Sequence, residues 1–104
     1  MTTSDIHHTI DAVWRIESAK LIGGLARIVR DVGLAEDLAQ DALVIALEQW
    51  PESGIPDNPG AWLMATAKHR AIDRIRRNVA LEHMVEVLGR ERELLLERAQ
   101  SAGQ

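Results

Sequence analysis

"AEDLAQDALVIALEQW", residues 35 to 50, is the stretch that decides the fold. Leucines, an isoleucine and alanines recur in it at three- and four-residue spacing, which is typical of an α-helix buried on most of its circumference. At about 100° per residue, the remaining polar side chains and one valine share an arc of about 100°. We call this arc the anionic stripe: Asp37, Gln40, Asp41, Val44 and Glu48. The pattern predicts that the stripe is the one side of the helix that faces away from the core.

Periodicity alone leaves two interpretations of the anionic stripe open. It is either an ordinary solvated helix face or a docking surface. Val44 lies among the acidic residues, and an anionic surface with an apolar centre suits a partner helix that carries arginine and apolar residues.

The segments around this helix are also predicted to be helical, because the chain has no Phe, no Tyr and no Asn-Gly hairpin signal. Three prolines lie close together in one short segment, which predicts a loop there. Asn58 before Pro59 is a good N-cap and first-turn pair. The predicted elements are helices over residues 5–30, 34–50 and 59–78, a break at 31–33, a loop over 51–60 and an amphipathic helix over 79–104.

We therefore predict an all-α fold, a small orthogonal helical bundle of three core helices plus a C-terminal amphipathic helix. A chain of 104 residues is long enough for one small core. We predict a helical domain over residues 1–78 and a C-terminal helix or interdomain linker over residues 79–104. The residues expected in the core are Ile6, Ile10, Val13, Ile16, Leu21, Leu25, Ile28, Leu34, Leu38, Leu43, Ile45, Leu47, Met64, Ala67, Ala71, Ile72 and Ile75.

The charge is distributed unevenly along the chain. Residues 1–57 hold ten acids and four bases, residues 58–78 one acid and five bases, and residues 79–104 five acids and three bases. A basic segment therefore lies between two acidic ones, so one chain could offer surfaces of opposite charge to two partners.

The predicted third helix concentrates the basic and aromatic residues on one face. At about 100° per residue, seven of its side chains fall within an arc of about 120°. They are Trp62, Thr66, His69, Arg70, Asp73, Arg76 and Arg77. Arginine neutralises phosphate, tryptophan stacks on bases, and threonine and histidine bond to base edges, which favours a single-stranded nucleic-acid site. The alternative is that Trp62 packs at the edge of the core and the arginines are only solvated.

Catalysis and metal binding are not expected. The chain has no cysteine, and its four histidines form no pair spaced to supply two metal ligands from one helical face. It has no phosphate-binding glycine loop and no nucleophile elbow. No signal peptide or membrane-spanning apolar run is apparent. We expect a cytoplasmic protein that is not an enzyme, needs no cofactor or metal and does not contact a membrane.

The second predicted helix contains the motif Asp37, Leu38, Ala39, Gln40, Asp41. The third predicted helix contains the motif Trp62, Leu63, Lys68, Ala71, Ile72, Asp73, Arg76, Arg77. Together, with the predicted loop between them, these two motifs resemble region 2 of a bacterial RNA polymerase sigma factor of the extracytoplasmic-function (ECF) group, in the sigma-70 superfamily. The resemblance covers roughly residues 11 to 78. The family's second domain, which reads the minus-35 element, has no counterpart after residue 78, so we expect a piece of a longer protein.

The resemblance implies two interfaces. Asp37, Gln40 and Asp41 would bind the clamp helices of the polymerase β′ subunit, and our face analysis adds Val44 and Glu48. The loop, with Ser53 and Ile55, would capture a base flipped from the non-template strand of the promoter minus-ten element. The basic and aromatic face of the third helix would bind the rest of that DNA. An anti-sigma factor is a further expected partner. The alternative is a helical interaction or dimerisation module that does not bind nucleic acid.

Overall fold

The computed structural model describes residues 3 to 102, and these form three α-helices and no strand. The helices are α1 (Thr3–Val29), α2 (Val32–Ser53) and α3 (Pro59–Ala102). The predicted all-α class is confirmed. The outermost residues of both predicted domains, 1–2 and 103–104, lie outside the described residues.

The chain divides into two compact units, Met1–Ile72 and Asp73–Gln104, so the division falls within the sequence of α3. The domain limit predicted after residue 78 remains a prediction. In the first unit, α1 packs against α2. In the second unit, every side chain described after Arg74 is exposed.

The turn between α1 and α2 is short because Arg30 and Asp31 both adopt conformations that end or begin a helix. Arg30 has a φ of 57°, and its N–H donates to the carbonyl of Ala26 over 2.8 Å, which is a left-handed helix end. Asp31 is extended, and its side chain accepts from the N–H of Leu34 over 3.1 Å, as an N-cap does. The break is therefore shorter than the predicted 31–33, since α2 already includes residues 32 and 33.

The loop between α2 and α3 is also shorter than the predicted 51–60. Pro51 lies inside the last turn of α2, which ends at Ser53. The fixed φ of proline is compatible with a helix. The helix ends instead at Gly54, which has a φ of 90° and donates its N–H to the carbonyl of Trp50 over 2.9 Å. The predicted N-cap at Asn58 agrees with the structure, because its side chain accepts from the N–H of Ala61 over 3.1 Å.

α3 does not end near Asn78 as predicted. It continues to Ala102, so the expected separate C-terminal helix is the continuation of α3. Between residues 78 and 102 the sequence has no proline, and Gly89 is its one glycine. One glycine costs a helix only about 1 kcal/mol, which is too little to end it.

Half of the twelve buried residues described in the core of the first unit are alanines, four from α2 and two from α3, and they pack among larger side chains from all three helices. Alanine on a contact face lets helix axes approach closely, since interaxial distance depends on side-chain size at the contact. The buried residues are Ile10, Leu21, Leu25, Ala35, Leu38, Ala39, Ala42, Ala46, Trp50, Leu63, Ala67 and Ala71.

Five residues predicted in the core are instead exposed, namely Ile16, Ile28, Leu47, Ile72 and Ile75. Ile16 lies about 180° around α1 from the buried Leu25 at 100° per residue, so it is on the opposite side. Ile28 lies in the last turn of α1, and Leu47 is only marginally exposed, at 38%. On α3, the buried positions end at Ala71, so Ile72 and Ile75 follow the last core contact.

Candidate functional site

The anionic stripe lies on the exposed side of α2. Asp37, Gln40, Val44 and Glu48 are exposed, with Val44 at 52%, and Asp41 is half-buried. The opposite side of the helix is fully buried, with Ala35, Leu38, Ala39, Ala42 and Ala46 all at 0% exposure. The interior therefore holds one side of α2 in place and leaves the stripe accessible.

The electrostatic character of α2 is uniform. Its sequence contains five carboxylates and no lysine, arginine or histidine. Neighbouring bases on the same helix therefore do not neutralise the stripe. A basic partner surface would gain favourable contacts along the stripe, and burial of the exposed Val44 would add a favourable hydrophobic contribution.

A pair of tryptophans links the end of α2 to the start of α3. The ring centroids of Trp50 and Trp62 are 5.1 Å apart, with an interplanar angle of 64°, which is an edge-to-face arrangement. Trp50 is 1% exposed, and its indole N–H has no hydrogen-bond partner among the described residues. Trp62 is half-buried and packs on the core cluster. Trp62 is thus a boundary core residue with part of its ring open to solvent.

Sequence reasoning missed the role of Trp50. It lies four residues after Ala46, which itself follows Ala42 by four, so it continues the buried side of α2. That four-residue spacing is the signal in the sequence that indicates a buried position at Trp50.

The two loop residues proposed from the sequence differ in their surroundings. Ser53 is the last residue of α2 and not a loop residue, and its exposed hydroxyl donates to the carbonyl of Gln49 over 3.0 Å. Ile55 lies in the loop, half-buried and packed against the core cluster. Ile55 therefore anchors the loop, whereas Ser53 faces solvent.

The predicted basic and aromatic residues of α3 are divided between the two units. In the first unit, Thr66 is half-buried while His69 and Arg70 are exposed. In the second unit, Asp73, Arg76 and Arg77 are all exposed. None of the three arginines is buried, so all three guanidinium groups can reach a ligand.

The start of α3 is held against α1 by a close approach. A Cβ atom on Gly60 would lie 2.9 Å from Cδ of Glu17, so the glycine lets this carboxylate approach the helix closely. A carboxylate beside a helix N-terminus is favourable, because it meets the positive end of the helix dipole. Gly24 of α1 similarly makes room for the side chain of Met64. Both contacts lie in the part of the first unit where α1 meets the segment of α3 that carries Trp62.

Across residues 3 to 102, none of the helices combines the length and apolarity that crossing a membrane requires. Within the same residues, His, Asp and Glu form no cluster of three suited to a metal ion.

Comparison with known proteins gives a family and several relatives. The family model described as sigma-70 region 2 matches residues 16–80, more than half of the chain. An ECF RNA polymerase sigma factor, SigK, from Mycobacterium sp. (strain KMS) is 37% identical over 62 residues, covering 56% of this chain and 31% of that protein. A probable ECF RNA polymerase sigma factor, SigI, from Mycobacterium tuberculosis is 34% identical over 70 residues, covering 67% and 23%.

A third relative is an uncharacterized protein of Rhizobium meliloti (strain 1021), 41% identical over 56 residues, which cover 54% of this chain and 13% of that protein. The chain thus spans less than a third of the length of these relatives. No solved structure matches it.

Proposed function

Because this chain belongs to the sigma-70 region 2 family, within the ECF group, we propose that it binds core RNA polymerase and recognises the promoter minus-ten element during transcription initiation. The observation that carries the proposal is the exposed anionic stripe on a helix whose opposite side is fully buried. Its action is binding and not catalysis. It works in the cytoplasm, where an anti-sigma factor would compete for the same surfaces.

The anionic stripe docks on the clamp helices of the β′ subunit. Asp37, Gln40, Asp41 and Glu48 meet basic and amide groups there, and Val44 fills the centre of the contact. All the charged side chains of α2 are carboxylates, which supports this assignment. Complementary electrostatic potentials raise the association rate and select the partner.

Two charge reversals test the docking surface. Asp37→Arg places a positive charge in the stripe, whereas Glu82→Arg makes the same change on an exposed residue of α3, outside the stripe. We expect Asp37→Arg to weaken binding to core polymerase at least about tenfold, since like charges opposed at an interface cost several kcal/mol. Glu82→Arg should change affinity by less than about twofold. Equal effects of the two variants, with unchanged circular dichroism, would rule the stripe out as the docking surface.

The loop after α2 and the exposed residues of α3 bind the non-template strand. The open part of Trp62 is a stacking surface, Thr66 and His69 contact base edges, and Arg70, Arg76 and Arg77 neutralise phosphates. Asp73 accepts hydrogen bonds from base amino groups, while Ser53 and Ile55 border the flipped base. Binding energy at these contacts offsets the few kcal/mol required to unstack a base.

The salt dependence of DNA binding tests this second interface. The assay uses polymerase holoenzyme assembled with this chain and a forked minus-ten DNA. Arg76→Ala should lower the magnitude of the log K against log [salt] slope by about 0.7, the value for one single-strand phosphate contact. Arg92→Ala removes the same charge from an exposed position farther along α3 and should leave the slope unchanged. Identical slopes for wild type and Arg76→Ala would exclude Arg76 from the DNA contact.

Sequence preference separates base reading from general affinity. His69→Ala should alter the preferred minus-ten sequence in a promoter-library selection more than it alters overall affinity. A chain that acts only as a helical interaction module would bind neither DNA nor polymerase in these assays.

A further inference from the structure

The second compact unit exposes apolar side chains along its length. Of the sixteen large apolar residues exposed in the described part of the chain, ten lie at or after Ile75. Leu94 and Leu95 are adjacent, and they are 53% and 63% exposed. Neither residue belongs to the motifs that identify the family, and the proposed function uses neither.

These two leucines lie within a patch whose charges are ordered along the helix. Glu91, Leu94, Leu95 and Arg98 occur at positions i, i+3, i+4 and i+7, and together they line a shallow depression of about 270 Å³. We call these four residues the terminal patch. Seven residues are about 10 Å along a helix at 1.5 Å per residue, so Glu91 and Arg98 cannot pair with each other. Neither has an ion-pair partner within residues 3 to 102.

We propose that the terminal patch is a self-association surface that binds the same patch of a second copy in antiparallel orientation. A two-fold axis that passes between Leu94 and Leu95 brings each Leu94 opposite the second copy's Leu95. The same axis brings each Glu91 opposite the second copy's Arg98, because both pairs are symmetric about one point of the helix. Both unpaired charges are then neutralised, and four leucines pack at the centre of an isologous interface.

The order of charges selects this orientation. A parallel pair in register would put Glu91 against Glu91 and Arg98 against Arg98, and like charges directly opposed are unfavourable. An interface of one short helical segment is smaller than the roughly 1,600 Å² of a standard stable complex. The dimer is therefore weak and depends on concentration. This inference is independent of the proposed function, since neither polymerase nor DNA takes part in it.

Sedimentation velocity over a concentration series measures the self-association of the full chain. The wild type should shift from monomer to dimer as concentration rises. Glu91→Arg or Arg98→Glu alone should weaken the dimer about tenfold or more, because each creates two like-charge pairs per dimer. The double variant, and an equimolar mixture of the two single variants, should recover wild-type association, since both restore two opposite-charge pairs.

A matched control reverses a charge away from the patch. Glu93 is exposed and lies about 200° around α3 from Glu91, so Glu93→Arg should leave association unchanged. A wild type that stays monomeric throughout, or a dimer equally sensitive to Glu91→Arg and Glu93→Arg, overturns the proposal.

Disulfide trapping tests the orientation separately, because the chain contains no cysteine. Leu95→Cys lies beside the two-fold axis and should form a disulfide-linked dimer, which requires Cα atoms within about 7 Å. Ser101→Cys lies opposite the second copy's Leu88, about 20 Å from the second copy's residue 101 at 1.5 Å per residue, and should not. Equal cross-linking of the two variants would indicate a parallel pair and refute the antiparallel arrangement.

Discussion

The contact between Trp50 and Trp62 should couple the end of α2 to the start of α3 energetically. Full truncation of a buried tryptophan costs about 3–5 kcal/mol. Trp62 is only half-buried, so we expect Trp62→Leu to lower the free energy of unfolding by about 2 kcal/mol. That corresponds to a fall of about 8–16 °C in Tm for a domain of this size. The edge-to-face pair at 5.1 Å should contribute about 0.5–1.5 kcal/mol of this through coupling alone.

A double-mutant cycle isolates that coupling. Urea unfolding followed by far-UV circular dichroism would be measured for Trp50→Leu, Trp62→Leu and the double variant. The sum of the stability losses in the two single variants should exceed the loss in the double variant by about 0.5–1.5 kcal/mol. The matched control is the cycle between Trp62→Leu and Trp14→Leu. Trp14 is also half-buried against the core but makes no ring contact in the described chain, so these effects should add within about 0.5 kcal/mol. Coupling in the first cycle no larger than in the control would refute the role assigned to the pair.

Three further variants report on how the first unit holds the site. Gly23→Ala should raise the free energy of unfolding by up to about 1 kcal/mol in thermal melts, because nothing would lie near the added methyl group. Gly24→Ala should raise the free energy of unfolding by less than Gly23→Ala does, since its Cβ would lie 2.7 Å from the Met64 methyl carbon. Equal increases in the two variants would argue against this contact. Asn58→Ala should cost about 0.5–2 kcal/mol through loss of the α3 N-cap, while Asn58→Asp retains it. Leu38→Ala should cost about 2–5 kcal/mol in urea unfolding, because the side chain is fully buried; a cost below about 1 kcal/mol would contradict that burial.

Local patterns in the sequence were reliable where one residue controls the backbone. The cap at Asn58 was predictable because its side chain bonds within its own turn. The C-terminal end of α2 was not predictable, since Pro51 is compatible with a last helical turn and Gly54 is where the chain leaves the helix. The continuation of α3 to Ala102 is not predictable from the sequence, because an amphipathic pattern does not indicate whether one helix ends and another begins.

The sequence by itself determined the all-α class, the family and the side of α2 that faces solvent. These properties follow from residue spacing within single helices and from motifs that are contiguous in the chain. Only the tertiary structure decided that Trp62 packs against Trp50, that Ile55 anchors the loop and that Ile16 is exposed. Helical periodicity shows which residues share a face, but burial depends on whether another helix covers that face, and such coverage arises from contacts between residues distant in sequence.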